Sequence, residues 1–348
     1  MPQQFLGNKE FLTKDIEVFA SCPSNIALIK YWGKYEGQIP ANPSISFTLS
    51  NCKTETKMIF KSGEKFSVKT FLAGKEETKF SDKIEKYFQN IEKYLPWILQ
   101  GSFVIETENT FPHSSGIASS ASGFGAIAKC LMEMDKAFSG KDFFDVKKAS
   151  FLARLGSGSA CRSVYDGLVV WGEVNKVEGS SDLYAVKYPN EEIHPIFRDF
   201  NDYVLLIHEG QKSVSSTVGH GLMNTNPYAE RRFQEARENF VPMKEILKSG
   251  DLQAFMKLVE HEALTLHAMM MMSDPAFILM QTGTLQVINK VWEFRKETNL
   301  PLFFTLDAGA NVHLLFPSEK KAEITNFIET ELLQYTQNGG IVRDFMKF

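Results

Sequence analysis

Cysteine is scarce in this chain. The four present, Cys22, Cys52, Cys130 and Cys161, lie far apart and form no CxxC pair. That excludes a disulfide framework and fits a reduced, cytoplasmic setting in which the thiols are packing residues. Long apolar runs are absent as well. The oddest apolar patch, Met269 to Met272, is far too short to cross a membrane. The opening MPQQFLGNKEFLTKD carries charges and no apolar stretch of the kind a secretory leader needs, so the protein is expected to stay where it is made. Neither sign of charge dominates: the formal net charge is −4, with acidic and basic residues interspersed. That argues against a nucleic-acid groove but leaves room for a local basic pocket that takes a small anion. No internal repeat or low-complexity segment is evident.

Core material is plentiful. With 348 residues, 43% of them hydrophobic, the chain is long enough for about two domains of the usual size of about 150 residues and is not disordered. The early part is β-rich. Ile16 to Lys34 starts as a strand and runs through Pro23 and Asn25 into a second apolar segment. IPANPSISFTLS, ETKMIF and FSVKTFLAG then read as further strands. Asp82 to Leu95 is an amphipathic helix with Ile84, Tyr87, Phe88, Ile91, Tyr94 and Leu95 on one face, stopped by Pro96. Asp142 to Gly156 makes another, with Gly156 as its C′ residue.

Periodicity lapses between about Pro189 and Asp202, which divides the chain into domains 1–195 and 196–348. Beyond YVLLIHE, a buried strand, lies the Ser/Thr/Gly loop Lys212 to Leu222, and the remainder turns helical. Gly250 and Asp251 separate a helix marked by Phe233, Ala236 and Phe240 from one marked by Phe255, Met256, Val259 and Leu266. His261 and His267 in the latter form no HExxH and read as structural. Leu285, Ile288 and Trp292 form a last long helix.

Four stretches carry chemistry. PHSSGIASSASGFG, Pro112 to Gly125, joins a strand to a helix. Gly116 lets backbone approach an anion, and Ser119 and Ser120 sit where unpaired helix N–H groups favour phosphate or hydroxyls can hold Mg²⁺. The spacing is not that of Walker A. GSGSACRS, Gly156 to Ser163, surrounds Arg162 with small residues, either as a flexible connection or as a loop closing on an anion. The cluster Lys30, Tyr31, Trp32, Gly33, Lys34 crowds two cations and two aromatics into one turn, which solvated lysines at a strand end would also explain. In TLDAGANVHLLF, Asp307 interrupts a strand, turn, strand unit, either as a turn-forming Asx residue or as a base with a tuned pKa.

SNIALIKYWGK, PHSSGIASSASGFG, GSGSACRS and TLDAGANVHLLF, in that order, resemble the diphosphomevalonate decarboxylase family of the GHMP kinase superfamily, over roughly Ser21 to Phe316. The phosphate loop alone indicates only the superfamily; YWGK, SGSACR and the late DAG turn are more specific. The resemblance implies an α+β, two-domain GHMP kinase fold. Its N-terminal, nucleotide-binding domain is ribosomal protein S5 domain 2-like, and its C-terminal domain is ferredoxin-like. It also implies a homodimer using ATP and Mg²⁺ to convert mevalonate 5-diphosphate to isopentenyl diphosphate, CO₂, ADP and phosphate in isoprenoid biosynthesis.

Residue by residue, the resemblance makes Asp307, Arg162, Lys30 and Asn25 catalytic. Substrate would meet Tyr31, Trp32, Gly33, Lys34, Thr217 and the run Ser157, Gly158, Ser159, Ala160, Cys161, Arg162. ATP would meet Pro112, Ser115, Gly116, Ala118, Ser119, Ser120 and Ser122, with Ser119 and Ser120 also at the metal. The chain departs from the family pattern at Pro43, His113, Ser114, Ser122 and Ala310. These departures leave open action on mevalonate 5-phosphate or mevalonate, or phosphorylation without decarboxylation. A catalytically silent GHMP-like binding protein is the remaining alternative.

Overall fold

The computed structural model describes residues 2–8, 14–112, 117–140, 142–175, 177–210 and 213–347. The first half runs β1 (Ile16–Ile29), β2 (Lys34–Tyr35), β3 (Ile39–Pro40), β4 (Ser44–Ser62), β5 (Ser67–Leu72), β6 (Lys75–Glu76), α1 (Thr78–Ile91), β7 (Gly101–Asn109), α2 (Ser119–Ser139), α3 (Val146–Gly156), α4 (Ala160–Ser163), β8 (Leu168–Trp171) and β9 (Ala185–Lys187). The second half runs β10 (Phe200–Leu205), α5 (Ser216–Leu222), α6 (Ala229–Ser249), α7 (Leu252–Met271), α8 (Thr282–Thr298), β11 (Phe303–Thr305), β12 (Val312–Pro317), α9 (Lys321–Phe327) and β13 (Ile341–Lys347). The architecture is α+β, and no helix among the described residues is long and apolar enough to cross a membrane.

β4 is the spine. Its 19 residues alternate buried and half-buried from Cys52 to Phe60, the pattern of a strand with one face on a core, whereas Ser44 to Leu49 are buried on both faces. β1 runs antiparallel along it, while β8, β13 and β7 take successive parts of its other edge. The sequence reads β4 as two strands; these neighbours pair it into one. Because β13 also pairs with β10, the sheet continues into the C-terminal half as β13, β10, β12, β11. β1 is bulged between Pro23 and Asn25 and again between Ala27 and Ile29. Pro23 has no N–H for the ladder, so a bulge is where a strand tolerates it, and the shift re-aims the residues that follow.

Several local expectations are revised. The helix expected over Asp82 to Leu95 spans Thr78–Ile91, although its six apolar markers are all buried as read. Gly156 stays helical, and the cap is Ser157; a Cβ at Gly156 would lie 2.1 Å from the Phe124 ring, so close packing demands the glycine. Part of the Lys212 to Leu222 loop is helix α5, capped by Ser215, whose Oγ accepts from the Val218 N–H. Lys212 lies outside the described residues. α8 is the last long helix, with the short α9 after it, but Leu285 and Trp292 face outward while Val287, Ile288 and Val291 are buried. Gly250, at φ 80°, and Asp251, which caps α7 through the Ala254 N–H, punctuate the chain as expected.

Candidate active site

A cavity of about 570 Å³ opens between the end of β1, the start of α2, the α3–α4 connection, α5 and the turn after β11. Arg162, Asp307, Ser119 and Ser120 all line it. So do Asn25, Lys30, Tyr31, Trp32, Lys34, Ala118, Ser157, Gly158, Ser159 and Thr217. Chain segments separated by more than two hundred residues thus meet around one space.

Lys30 Nζ lies 2.9 Å from Asp307 Oδ1, with the lysine side chain 2% exposed and the aspartate 23%. Burying an ammonium is costly unless it is paired, and Asp307 supplies that partner. The backbone around Lys30 is anchored as well. Its N–H donates to Glu262 Oε2 at 2.9 Å, and its carbonyl accepts from Asn42 Nδ2 at 2.9 Å. Glu262, fully buried on α7, is neutralised by Arg232 of α6 and accepts from Asn239 Nδ2 at 2.6 Å. On the other flank, His267 Nε2–H donates to the Asp307 carbonyl at 3.1 Å. Two helices of the second half therefore set both partners of the ion pair.

Arg162 is 3% exposed, which removes the reading of a solvated loop arginine. Its Nε donates to Asn25 Oδ1 at 3.0 Å and its Nη1 to Ser44 Oγ. Asn25 is itself held by donating to Ser163 Oγ at 2.6 Å and to the Ser159 carbonyl at 3.2 Å. Burial pulls the guanidinium below its ordinary pKa, and Cys161, Asp307 and Tyr31 oppose that shift. A guanidinium starts high enough to stay charged, leaving a fixed cation with donor capacity toward the cavity.

Aromatic rings join the two sides. Trp32 lies 4.5 Å from the His220 ring, His220 4.4 Å from Tyr31, Tyr31 4.7 Å from Trp171, and the Arg162 guanidinium 5.8 Å from Trp171. Gly33 takes φ +96°, which bends the chain after Trp32, and its N–H donates to His220 Nδ1 at 2.9 Å. Lys34 reaches Gln38 Oε1 at 2.8 Å, and burial followed by the charge of Lys83 lowers its pKa.

At the cradle, α2 begins at Ser119 with Ala118 as its N-cap, and among the described residues no side chain caps the helix. Its first N–H groups are left for a ligand. Ser122 does not belong to this set: it is fully buried, accepting from Thr54 Oγ1 at 2.6 Å and donating to the Ser119 carbonyl. Ser122 lies one turn further along α2, where the helix packs on β4, and its hydroxyl is already engaged within the protein. Gly33, Ala160, Cys161 and Pro112 also lie off the cavity lining. Ala160 and Cys161 are fully buried, and the Cys161 thiol donates to the Gly158 carbonyl. Ser115 and Gly116, like His113 and Ser114, lie outside the described residues.

Comparison with known proteins agrees with this geometry. Residues 22–185 match the family model described as the diphosphomevalonate decarboxylase-like N-terminal domain, and residues 203–344 match the mevalonate 5-diphosphate decarboxylase C-terminal domain. A diphosphomevalonate decarboxylase of Schizosaccharomyces pombe is 30% identical over 330 residues, covering 88% of this chain and 80% of that protein. The chain belongs to the diphosphomevalonate decarboxylase family. The family's solved structures agree. The mevalonate diphosphate decarboxylase of Staphylococcus aureus superposes with a TM-score of 0.83 at 30% identity, over 97% of each chain. MDDEF in complex with MVAPP, AMPPCP and magnesium gives 0.82 at 27% identity, over 96% of this chain and 98% of that one.

Several residues of the cavity and of its supports escaped the sequence. Lys83, on the polar face of α1, lines the cavity beside the cradle, with its ammonium 4.9 Å from the Phe124 ring centroid. A charged residue at a solvent-facing helical position carries no local sign of such a role. His220 was lost because its segment reads as a loop, and Glu262 and Arg232 because their pairing crosses two helices.

Proposed function

We propose that this chain catalyses the ATP-dependent decarboxylation of mevalonate 5-diphosphate to isopentenyl diphosphate by way of phosphorylation at the 3-hydroxyl. One observation carries the reading: Arg162 and the Lys30–Asp307 pair line the same cavity as the open N-terminus of α2. An anion clamp, a held carboxylate and a phosphate cradle are the three parts that such a reaction needs.

Asp307 faces the substrate's 3-hydroxyl, orients it and accepts its proton as it attacks the phosphoryl group. Lys30, 2.9 Å from that carboxylate, steers it. Arg162, with Nε and Nη1 fixed by Asn25 and Ser44, receives the substrate carboxylate. Once the 3-phosphate departs, positive charge grows at C3, the anion of Asp307 favours it, and the carboxylate leaves as CO₂. Tyr31, Trp32, Lys34 and Thr217 hold the diphosphate end. Ser119 and Ser120 take the nucleotide phosphates, and Lys83 lies close enough to help.

The residues fit ATP and Mg²⁺: the uncapped helix start suits a polyphosphate, and the cavity offers hydroxyl and carboxylate oxygens suited to a hard cation. When bound, the pair supplies the phosphoryl group and neutralises its developing charge. Among the described residues no group of three His, Cys, Asp or Glu side chains stands ready to hold a metal, so phosphate oxygens would complete the coordination.

We include the homodimer implied by the resemblance, a division into domains near residue 195, and a cytoplasmic setting. The four cysteines are free and buried, which suits the last. Light scattering tests the dimer. The function is tested by giving purified protein MgATP with mevalonate, its 5-phosphate or its 5-diphosphate in turn. Equal release of CO₂ and ADP on the diphosphate supports it; ADP without CO₂ makes the protein a kinase.

A further inference from the structure

His220 occupies a place in the cavity that no motif marked. The residue is 8% exposed, yet it lines the space together with Lys34, Arg162 and Thr217. Two aromatic rings pack against it, Tyr31 with its centroid at 4.4 Å and Trp32 at 4.5 Å, and help hold the imidazole in place. One nitrogen is spoken for. Nδ1 accepts the Gly33 N–H at 2.9 Å, and that bond places the single proton of the ring on Nε2. Among the described residues Nε2–H has no partner. Thr217 lies three positions earlier on α5, hence on the same helical face.

We propose that His220 is a binding and specificity residue for the phosphate-bearing end of the substrate, donating Nε2–H to a phosphate oxygen beside Lys34 and Thr217. The ligand's identity rests on the function proposed above. The chemistry favours such a donor. Lys34 and Arg162 already place two cations at this cavity, and together with burial they push the imidazole down to about 3. A second proton would have to enter at Nδ1, where the Gly33 N–H already points. The imidazole therefore adds a directed hydrogen bond without adding a third charge, and it does so at every pH where the other groups keep their charges.

Two substitutions separate this role from a structural one. His220→Asn keeps an acceptor near the Nδ1 position and removes the Nε2 donor; His220→Gln keeps a donor near Nε2 and removes the acceptor. With mevalonate 5-diphosphate and MgATP, the asparagine variant should raise the substrate KM about tenfold or more, the loss expected for one hydrogen bond to a charged group. Its kcat and its KM for ATP should stay within about threefold of wild type, well inside that loss, and the glutamine variant should recover most of the affinity. The reverse ranking, with asparagine normal and glutamine impaired, overturns the proposal and leaves His220 as a prop for Gly33. If the wild-type protein releases no CO₂, the function above has failed, but His220 is still judged by calorimetry with inorganic pyrophosphate on the same three proteins. Weaker binding in the asparagine variant alone supports the proposal, and equal affinities overturn it. The wild type provides a check free of folding effects: ¹⁵N-histidine spectra should place the proton on Nε2 and show that resonance moving when pyrophosphate is added. A stationary Nε2 signal counts against the proposal.

Discussion

Lys30 Nζ and Asp307 Oδ1 lie 2.9 Å apart although 277 positions separate them in the chain. The lysine directly follows a strand of the first half, and the aspartate lies in the turn between two strands of the second. Each is held from behind, Lys30 by Glu262 and Asp307 by His267, both on α7. One helix therefore registers the two halves of the ion pair against each other.

Replacing Asp307 separates its two duties. Asp307→Asn keeps the size and a hydrogen bond to Lys30 but cannot take a proton, and turnover should fall about 10²-fold or more with nucleotide affinity retained. Asp307→Ala should add a loss of up to about 3 kcal/mol in stability, because the buried Lys30 ammonium loses its counter-charge. Urea unfolding alongside single-turnover ADP release measures both; wild-type turnover in the asparagine variant would reduce Asp307 to a turn residue.

Glu262 is a structural anion with a functional consequence. Glu262→Gln leaves the fully buried Arg232 without its counter-charge and should lower stability by about 3–5 kcal/mol. The double change Glu262→Leu with Arg232→Met should restore much of that stability. It should not restore kcat, since leucine leaves the Lys30 N–H without its acceptor. Full catalytic recovery in the double variant would show that anchoring Lys30 is unimportant.

Arg162→Lys is not conservative here. A lysine cannot reproduce the paired contacts to Asn25 and Ser44 while presenting a further donor to the cavity. The KM for the carboxylate substrate should rise about tenfold or more, as for the loss of a charge-assisted bond, while the KM for ATP stays put. Steady-state kinetics with each substrate varied in turn would reveal a different outcome.

His220 also makes stability depend on pH. Folded, it is pushed from 6.5 to about 3 by burial and by the charges of Lys34 and Arg162, with Tyr31, Trp32 and the Gly33 N–H packed around it. Below about 6.5 the unfolded chain binds a proton that the folded chain refuses. The contribution is complete above that pH and drains away as pH falls toward 3, at about 1.4 kcal/mol per unit. Between pH 7 and 5 the wild type should lose roughly 2 kcal/mol more than His220→Gln in urea unfolding. Parallel curves would contradict the assignment.

Punctuation and patterning were legible in the sequence. Gly250 and Asp251, the apolar face of α1 and the strand, turn, strand around Asp307 depend on neighbours within a few residues, which a linear reading contains. The chemical types needed for the site were legible too, because Lys30, Arg162 and Asp307 are charged residues set among apolar or small ones. Less legible were the extents of β4 and α5. A strand's length depends on which partners pair with it, and a short helix at a cavity rim is stabilised by what it packs against.

By itself, then, the sequence determined which side chains could do chemistry and in which local turns they sit. Only the tertiary structure decided which of them meet. Whether Arg162 is a solvated loop residue or a buried cation, what the Ser122 hydroxyl meets, and how far burial and nearby cations depress the His220 pKa all depend on groups tens to hundreds of positions away. Desolvation and pairing depend on distance in space, and the bulged β1 together with the α6–α7 ion pair sets those distances.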